Sequence, residues 1–188
     1  MEMFPKLALV QSGGWILTLI YIIVNFSIPA TKKGTWTRLT APQRKPRPTF
    51  TKKLRQIVNM ITWYGTVLYA AFLPMKTGTA CFYIGVFLFA LGMLLTAISL
   101  INYTNTPFDK PAVSGLYKYS RNPIYVSYAI IWYGAVLVLG SWTLLILHTA
   151  EIALCHIGVL EEEKDCEEQY GQSYLEFKTR VPRYFGPF

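Results

Sequence analysis

The sequence predicts an all-α integral membrane protein with five transmembrane helices, and three observations support this. The chain has 188 residues, of which 53% are hydrophobic and 15% aromatic. The apolar residues form five long blocks, and the basic residues fall in the polar segments between them. Long apolar blocks separated by basic loops are typical of membrane-spanning helices. We therefore expect one membrane domain over residues 1–188, and we attribute the net charge of +8 to loops and not to nucleic-acid binding.

The five blocks predict the spans in chain order. They cover about residues 14–30, 54–74, 79–101, 124–140 and 141–160. About 20 residues are needed to cross about 30 Å of hydrocarbon, so the first and fourth blocks are short and require local thinning or oblique packing. The N-terminus lacks the charged segment and cleavage site of a signal peptide, so we expect the first block to be retained.

The fourth and fifth blocks meet at "LGSW", residues 139–142, with almost no loop between them. Two helices joined this tightly form an antiparallel hairpin. Gly140 can adopt the left-handed conformation that ends a helix.

The charge distribution predicts the orientation. Residues 32–55 hold nine Lys and Arg residues and no acid. Together with the basic residues before the fourth block and after the fifth, they hold 16 of the 18 basic residues of the chain. The positive-inside rule then places the N-terminus outside and these segments in the cytoplasm. Residues 102–122 and 161–188 would share that face, where they could enclose a site.

The basic loop between the first two blocks contains Pro42, Pro46 and Pro48, which prevent a continuous helix. We expect this loop to lie on anionic lipid head groups. Binding of an acidic substrate is the alternative.

A polar stretch, "GLYKYSRNPIYV", precedes the fourth block at residues 115–126. Asn is a favoured N-cap and Pro a favoured first helical residue, so Asn122 and Pro123 predict a helix start. The free N–H groups of the first turn could bind a carboxylate or phosphate. Gly115 allows a tight turn before it. Flat faces for a base come from Tyr117, Tyr119 and Tyr125.

An acidic run follows the fifth block directly. The usual interpretation of such a run is a solvated helix face. Because this one begins where the apolar block ends, a carboxylate here could instead hold a cation or a ribose hydroxyl. The acids are Glu161, Glu162, Glu163, Asp165, Glu167 and Glu168.

These two regions resemble a known enzyme family. "SGLYKYSRNPIYV" resembles the G-x-Y-x-x-x-R-H-P-x-Y-x-G signature of isoprenylcysteine carboxyl methyltransferases and of the wider phospholipid methyltransferase group. "EEEKDCEEQYGQSYLEFKTRVPRYF" resembles the closing pattern of that family, an acidic pair followed by Gly-x-x-Tyr-x-x-Tyr/Phe-Lys-x-x-Val-Pro. The motifs lie about 40 residues apart around a hairpin, as in the family, and the resemblance covers about residues 102–183.

The resemblance implies a cytoplasm-facing pocket for S-adenosylmethionine, with S-adenosylhomocysteine as product, formed by about residues 102–125 and 158–185. The candidate catalytic residues for this chemistry are Arg121, Glu162 and His156. Cofactor contacts carried over by position are Asn102, Lys110, Pro111, Ala112, Val113, Leu116, Tyr117, Asn122, Pro123, Ile124, Tyr125, Glu162 and Glu163.

Two positions depart from the family pattern. Asn122 stands where the family has His, and an amide can donate a hydrogen bond but carries no charge. Gly158 stands where eukaryotic members carry an Arg that orients the substrate carboxylate. His156 or Arg121 could substitute for it.

The resemblance implies methyl transfer to a lipophilic acceptor, and the carboxylate of a prenylated cysteine is the favoured one. A phospholipid amine is the nearest alternative. A carboxylate needs a nearby cation, whereas an amine must lose a proton, for which Glu162 or Glu163 could serve. We expect no metal, because no His/Cys cluster has zinc spacing. An NADPH-dependent sterol reductase and a non-enzymatic membrane scaffold are the rival functions.

Three ionisable residues fall inside the fifth block, namely His148, Glu151 and His156. His148 and Glu151 are three residues apart on the predicted helix, so they can contact each other. We favour a structural pair over the alternative, in which they line the path of the acceptor.

Overall fold

The structure is a computed structural model that describes residues 1–7, 13–40 and 50–185. The described residues form helices and no strand beyond two isolated bridges. Pro42, Pro46 and Pro48 of the basic loop, and residues 186–188 of the tail, lie outside the described residues. The helices are α1 (Trp15–Ala30), α2 (Thr35–Thr40), α3 (Phe50–Ala71), α4 (Ala80–Asn105), a 3₁₀ helix (Gly115–Lys118), α5 (Pro123–Leu139), α6 (Trp142–Tyr170) and α7 (Gln172–Arg180).

The five predicted blocks correspond to α1, α3, α4, α5 and the first part of α6. The main difference is the end of the last block, because α6 continues ten residues beyond Leu160 to Tyr170. Glu and Lys are good helix formers, so the acidic run extends the helix without a break. It ends at Gly171, where φ is 55°.

The turn between α5 and α6 defines one end of the bundle, here called the hairpin end. Gly140 adopts the left-handed conformation, with φ 62° and ψ 35°, and the Ser141 hydroxyl accepts a hydrogen bond from the Leu144 N–H. The predicted tight hairpin is therefore confirmed. Glu2 pairs with the backbone of this turn, and Lys76 donates its N–H to the Val138 carbonyl. The N-terminus and the α3–α4 connection thus lie at the same end.

The opposite end, here called the tail end, gathers the segment between α4 and α5, the last turns of α6, and α7. Lys32 Nζ donates to the Thr104 carbonyl over 2.9 Å. Arg55 at the start of α3 pairs with Glu161 of α6. The segments that the charge distribution assigned to one face therefore lie at one end of the bundle. The cytoplasmic orientation of that end stays a prediction.

The closest helix contact is between α4 and α5, where small residues let the backbones touch. A Cβ atom at Gly134 would lie 2.5 Å from the Phe89 nitrogen and 2.8 Å from the Gly85 carbonyl oxygen. The Thr96 hydroxyl donates to the buried Ser127 hydroxyl over 2.8 Å. Small residues and interhelical hydrogen bonds are the usual means of joining helices in membranes. This pair holds the segment between α4 and α5 in place at the tail end.

The outer surface of the bundle is apolar. Phe87 of α4 and Ile61 of α3 are 65% and 68% exposed. Of the described helices, α4 and α6 are long and apolar enough to cross a membrane, whereas α1 and α5 are apolar but shorter. Only 39% of the apolar window of α4 and 22% of that of α6 is buried, less than in a soluble core helix. The molecule has the character of a membrane protein, and the number of five spans stays a prediction.

Candidate functional site

A cavity of about 510 Å³, here called the large cavity, lies at the tail end of the bundle. Its walls come from α6, α7, the segment between α4 and α5, and the start of α5. Residues of α2, α3 and the end of α4 complete it. These elements meet because successive long helices run in opposite directions, so that every second connection lies at the tail end.

Aromatic side chains form one wall of the large cavity. Tyr117, Tyr174 and Phe177 are at most 6% exposed and belong to one apolar cluster. The two α7 residues are three positions apart, so they face the same side of the helix. The Tyr103 ring lies 6.4 Å from that of Tyr117. This wall offers flat surfaces on which a planar ring can stack.

Glu163 is the centre of a buried cluster of polar side chains beside this wall. Arg121 donates to both carboxylate oxygens of Glu163 over 3.2 and 3.3 Å. Asn122 Nδ2 donates over 3.0 Å, and Arg183 Nη2 donates over 3.0 Å. The Glu163 and Arg121 side chains are only 4% and 7% exposed. The cluster joins α6, the start of α5 and the chain after α7.

The cluster shifts the pKa of its acid. Burial by itself would raise the pKa of the Glu163 carboxyl, but hydrogen bonds from Arg183 and the charge of Arg121 outweigh it, so the pKa is lowered. The same hydrogen bonds raise the pKa of the Arg183 guanidinium. Glu163 is therefore ionised at neutral pH and holds its cationic partners.

Backbone hydrogen bonds fasten the chain after α7 onto the segment before α5. The Arg121 N–H donates to the Pro182 carbonyl over 2.9 Å, and its side chain donates to the Lys178 carbonyl. The Ser120 hydroxyl donates to the Arg183 carbonyl over 3.1 Å. The tail thus closes one side of the large cavity.

Glu162 lies one residue before Glu163 on α6, and therefore points about 100° away around the helix axis. Its Oε1 accepts a hydrogen bond of 2.8 Å from the Tyr125 hydroxyl. Glu162 and Tyr125 both line the large cavity, and both also line a second cavity. Glu162 is thus the carboxylate placed between the two spaces.

The second space, here called the small cavity, has a volume of about 130 Å³ and lies between α3 and α6. Arg55 donates through both terminal nitrogens to the two carboxylate oxygens of Glu161 at its edge. The two cavities are neighbours with a common wall. The residues that line both are Gln56, Tyr125, Glu162 and Asp165.

The sequence profile of the phospholipid methyltransferase family matches residues 73–173, more than half of the chain. The matched region holds α4, α5 and α6 with the segment between α4 and α5, and so most of the walls described above. The chain belongs to the phospholipid methyltransferase family. This confirms the resemblance found in the sequence and makes the protein a membrane methyltransferase. None of the curated proteins matches the chain.

The large cavity of the methyltransferase brings together nine of the residues predicted from the sequence. They come from the opening motif and from the first acids of the tail motif, regions about 40 residues apart in sequence. The nine residues are Pro111, Ala112, Tyr117, Arg121, Asn122, Ile124, Tyr125, Glu162 and Glu163.

The other predicted residues lie outside this lining. Asn102 packs beneath Gly115, whose φ is +63° and where a Cβ atom would lie 1.9 Å from the Asn102 amide nitrogen. His156 Nδ1 lies 2.9 Å from the Tyr184 hydroxyl, so His156 contacts the tail and not the large cavity. Pro123 is the buried first residue of α5. The remaining three are Lys110, Val113 and Leu116.

Asn122 and Arg121 have partners that the sequence did not predict. Asn122 is the N-cap of α5, as expected, but its side chain makes no capping hydrogen bond. It donates instead to Glu163 and to the Arg183 carbonyl. The carboxylate beside the start of α5 is thus supplied by the methyltransferase itself.

Sequence reasoning missed half of the lining. Tyr174 and Phe177 could have been found, because their spacing of three residues places them on one face of a helix within the tail motif. Residues of α2 and α3 left no such signal. The missed residues are Gly34, Leu39, Gln56, Tyr103, Phe108, Cys166, Gln169, Tyr170, Tyr174 and Phe177.

The ionisable pair inside α6 lies in the core of the methyltransferase. His148 Nδ1 is 3.6 Å from Glu151 Oε2, as their spacing predicted, and the two residues are 0% and 1% exposed. The His148 ring contacts those of Tyr128 and Tyr133. Neither His148 nor Glu151 lines either cavity, which favours the structural interpretation.

Proposed function

We propose that the chain is an S-adenosylmethionine-dependent methyltransferase that modifies a membrane lipid at the tail end of the bundle. The observation that carries the proposal is the large cavity, which joins both family motifs in one space. Its volume of about 510 Å³ is within the usual range of small-molecule sites. We further propose that the tail end faces the cytoplasm, as the basic residues predict.

The lining fits the cofactor chemically. Glu162 and Asp165 provide carboxylates for its amino group, its ribose hydroxyls and its positive charge. Tyr117, Tyr170 and Tyr174 provide flat surfaces for its adenine ring. When bound, S-adenosylmethionine supplies a methyl group that its positively charged sulfur has already activated.

We infer that the acceptor is a lipid amine, because the common wall of the two cavities carries carboxylates that suit an ammonium group. The cations of the described lining are Arg55 and Arg121, and each is paired with a carboxylate. Two further acids, Glu162 and Asp165, lie in the common wall. An ammonium group can form charge-assisted hydrogen bonds with such carboxylates.

Glu162 is the residue placed to handle the proton. A lipid ammonium bound at the common wall would give a proton to the Glu162 carboxylate, because Glu162 lines both cavities and a general base must lie within hydrogen-bond reach of the proton that it takes. The nitrogen lone pair would then form the new N–C bond with the methyl group that the bound cofactor supplies, and the electron pair of the broken S–C bond would stay on sulfur. The products are the methylated amine, S-adenosylhomocysteine and one proton. Beyond this, the protein contributes positioning and electrostatic stabilisation.

Prenylated cysteine remains the second candidate, because the opening motif "SGLYKYSRNPIYV" resembles that of isoprenylcysteine carboxyl methyltransferases. Its carboxylate would need one of the two lining arginines to exchange partners. Methyl transfer to vesicles of phosphatidylethanolamine, compared with transfer to a prenylcysteine analogue, separates the candidates. Transfer to the analogue alone would refute the amine acceptor and leave the methyltransferase activity standing.

Binding of S-adenosylhomocysteine tests the cofactor assignment. Calorimetry of the purified protein should detect it, and NADPH, the cofactor of the rival reductase, should give no signal. Loss of one charge-assisted hydrogen bond is worth about 1.5–3 kcal/mol, so Glu162→Gln should weaken binding about 10- to 100-fold. Glu168→Gln, on the same helix but outside both linings, should bind normally. A wild type that binds NADPH and not S-adenosylhomocysteine would rule the proposal out.

A further inference from the structure

The small cavity lies where an acceptor would have to sit. It shares a wall with the large cavity, and that wall contains Glu162 and Tyr125. Its own walls are α3 and α6, two helices whose outer faces carry exposed apolar residues such as Ile61 and Ile157. A molecule in the small cavity would therefore contact the common wall, and the apolar outer faces of α3 and α6 belong to the helices that enclose it.

We propose, resting on the function above, that the small cavity binds the phosphate-bearing head group of the acceptor lipid, with Arg55 contacting the phosphate. The small cavity, at about 130 Å³, is much smaller than the large cavity of about 510 Å³, which suits the polar part of a head group. The proposal places the acyl chains outside the small cavity, against α3 and α6.

Arg55 has the geometry for this role. Its guanidinium already binds Glu161 through two nitrogens, and the same planar fork suits a phosphate. The Arg55 and Glu161 side chains are 21% and 28% exposed, so the pair lies at the cavity edge where an incoming anion can compete for it. A bound phosphate would face Arg55, and the amine beyond it would point to the acids of the common wall.

Asn59 supplies a hydrogen-bond acceptor that complements the Arg55 cation in the small cavity. It follows Arg55 by four residues on α3, so both face the small cavity. Its side-chain oxygen is buried and has no hydrogen-bond partner within the described chain. A buried acceptor of this kind is stabilised by a donor, which an ammonium or a glycerol hydroxyl can provide. The cavity thus combines a cation with an acceptor, which suits a zwitterionic head group.

Gly158 leaves free space beside the small cavity, between α3 and α6, and we assign this space as the opening for the lipid. A Cβ atom built on it meets nothing within 4 Å, although it lies in the middle of α6 and lines the small cavity. A larger residue there would project into the space between α3 and α6 without displacing a neighbour. Gly65 of α3 has the same free space but lines neither cavity. The chain therefore contains a matched control.

The first test replaces each glycine by leucine. We expect Gly158→Leu to raise the KM for phosphatidylethanolamine at least tenfold, with binding of S-adenosylhomocysteine unchanged. Gly65→Leu should change neither quantity. Normal cofactor binding shows that a variant is folded, so an unchanged KM in Gly158→Leu would overturn the proposed opening.

The second test removes the charge pair as a unit. The double variant Arg55→Gln with Glu161→Gln keeps the net charge and removes both members of the pair. We expect it to raise the KM for phosphatidylethanolamine about tenfold and to leave unchanged the KM for stearylamine, an amine without a phosphate. Equal effects on both lipids, or none on either, would contradict phosphate recognition by Arg55. A wild type that binds no S-adenosylhomocysteine would instead refute the proposed function.

Discussion

Replacing Glu163 by glutamine should weaken the whole tail end of the bundle. The Glu163 and Arg121 side chains are 4% and 7% exposed, so this is a buried ion pair. Removing one partner of a buried pair costs about 3–5 kcal/mol, because the other charge stays buried. Glutamine can still accept hydrogen bonds, and Arg121 keeps the Lys178 carbonyl. We therefore expect a loss near the lower limit, about 3 kcal/mol of unfolding free energy.

Arg183 should contribute much less to this loss. Its side chain is 34% exposed, and exposed pairs are worth at most about 1 kcal/mol. Arg183→Gln should therefore cost less than Arg121→Gln. A double-mutant cycle of each with Glu163→Gln would give the two coupling energies separately.

Unfolding in mixed detergent micelles, followed by circular dichroism and tryptophan fluorescence, measures these changes. The matched control is Glu167→Gln, on the same helix, whose pair with Lys178 has side chains 30% and 40% exposed. An exposed pair of this kind should contribute less than about 1 kcal/mol. Hydrogen exchange should also show earlier opening of residues 181–185 in Glu163→Gln alone. Equal destabilisation by both glutamine variants would refute the buried-pair reasoning.

Two further predictions concern the pH dependence and the helix packing. Because the pKa of Glu163 is lowered on folding, its contribution is complete above the unfolded value of about 4.3 and is lost as the pH falls through the lowered pKa. Acid titration of stability should therefore be steeper below that value in the wild type than in Glu163→Gln, and parallel curves would contradict the assignment. Gly134→Ala places a methyl group 2.5 Å from the Phe89 nitrogen and should cost about 1–3 kcal/mol. Gly65→Ala meets no neighbour and should gain up to about 1 kcal/mol of helix propensity, so equal effects of the two alanines would contradict the packing.

The sequence predicted the helices well because their signals are local. An apolar block of the right length, the Asn122-Pro123 start and the Gly140 stop depend only on neighbouring residues. The predicted span ended at Leu160, and the continuation of α6 to Tyr170 agrees with the helical interpretation of the acidic run. The residues there are good helix formers, and backbone hydrogen bonding continues through them.

The lining was predicted only in part, since the family motifs cover about residues 102–183. Gln56 of α3 and Leu39 of α2 line the large cavity from outside that region. Their positions depend on which helix packs beside α6, and no local pattern encodes that choice. The small cavity, formed largely by Arg55 and other residues of α3 against α6, was not predicted for the same reason.

The sequence by itself determined the helical membrane character, the hairpin and the family motifs, because these rest on composition and on residues close together along the chain. Only the tertiary structure decided what those residues contact. In the folded chain Arg121 and Asn122 bind the Glu163 carboxylate, and His156 contacts Tyr184. Glu162 lies in the wall between the two cavities. Each partner lies at least 28 residues away. Hydrogen bonds and ion pairs act over a few ångströms, so they are decided by packing and not by sequence spacing.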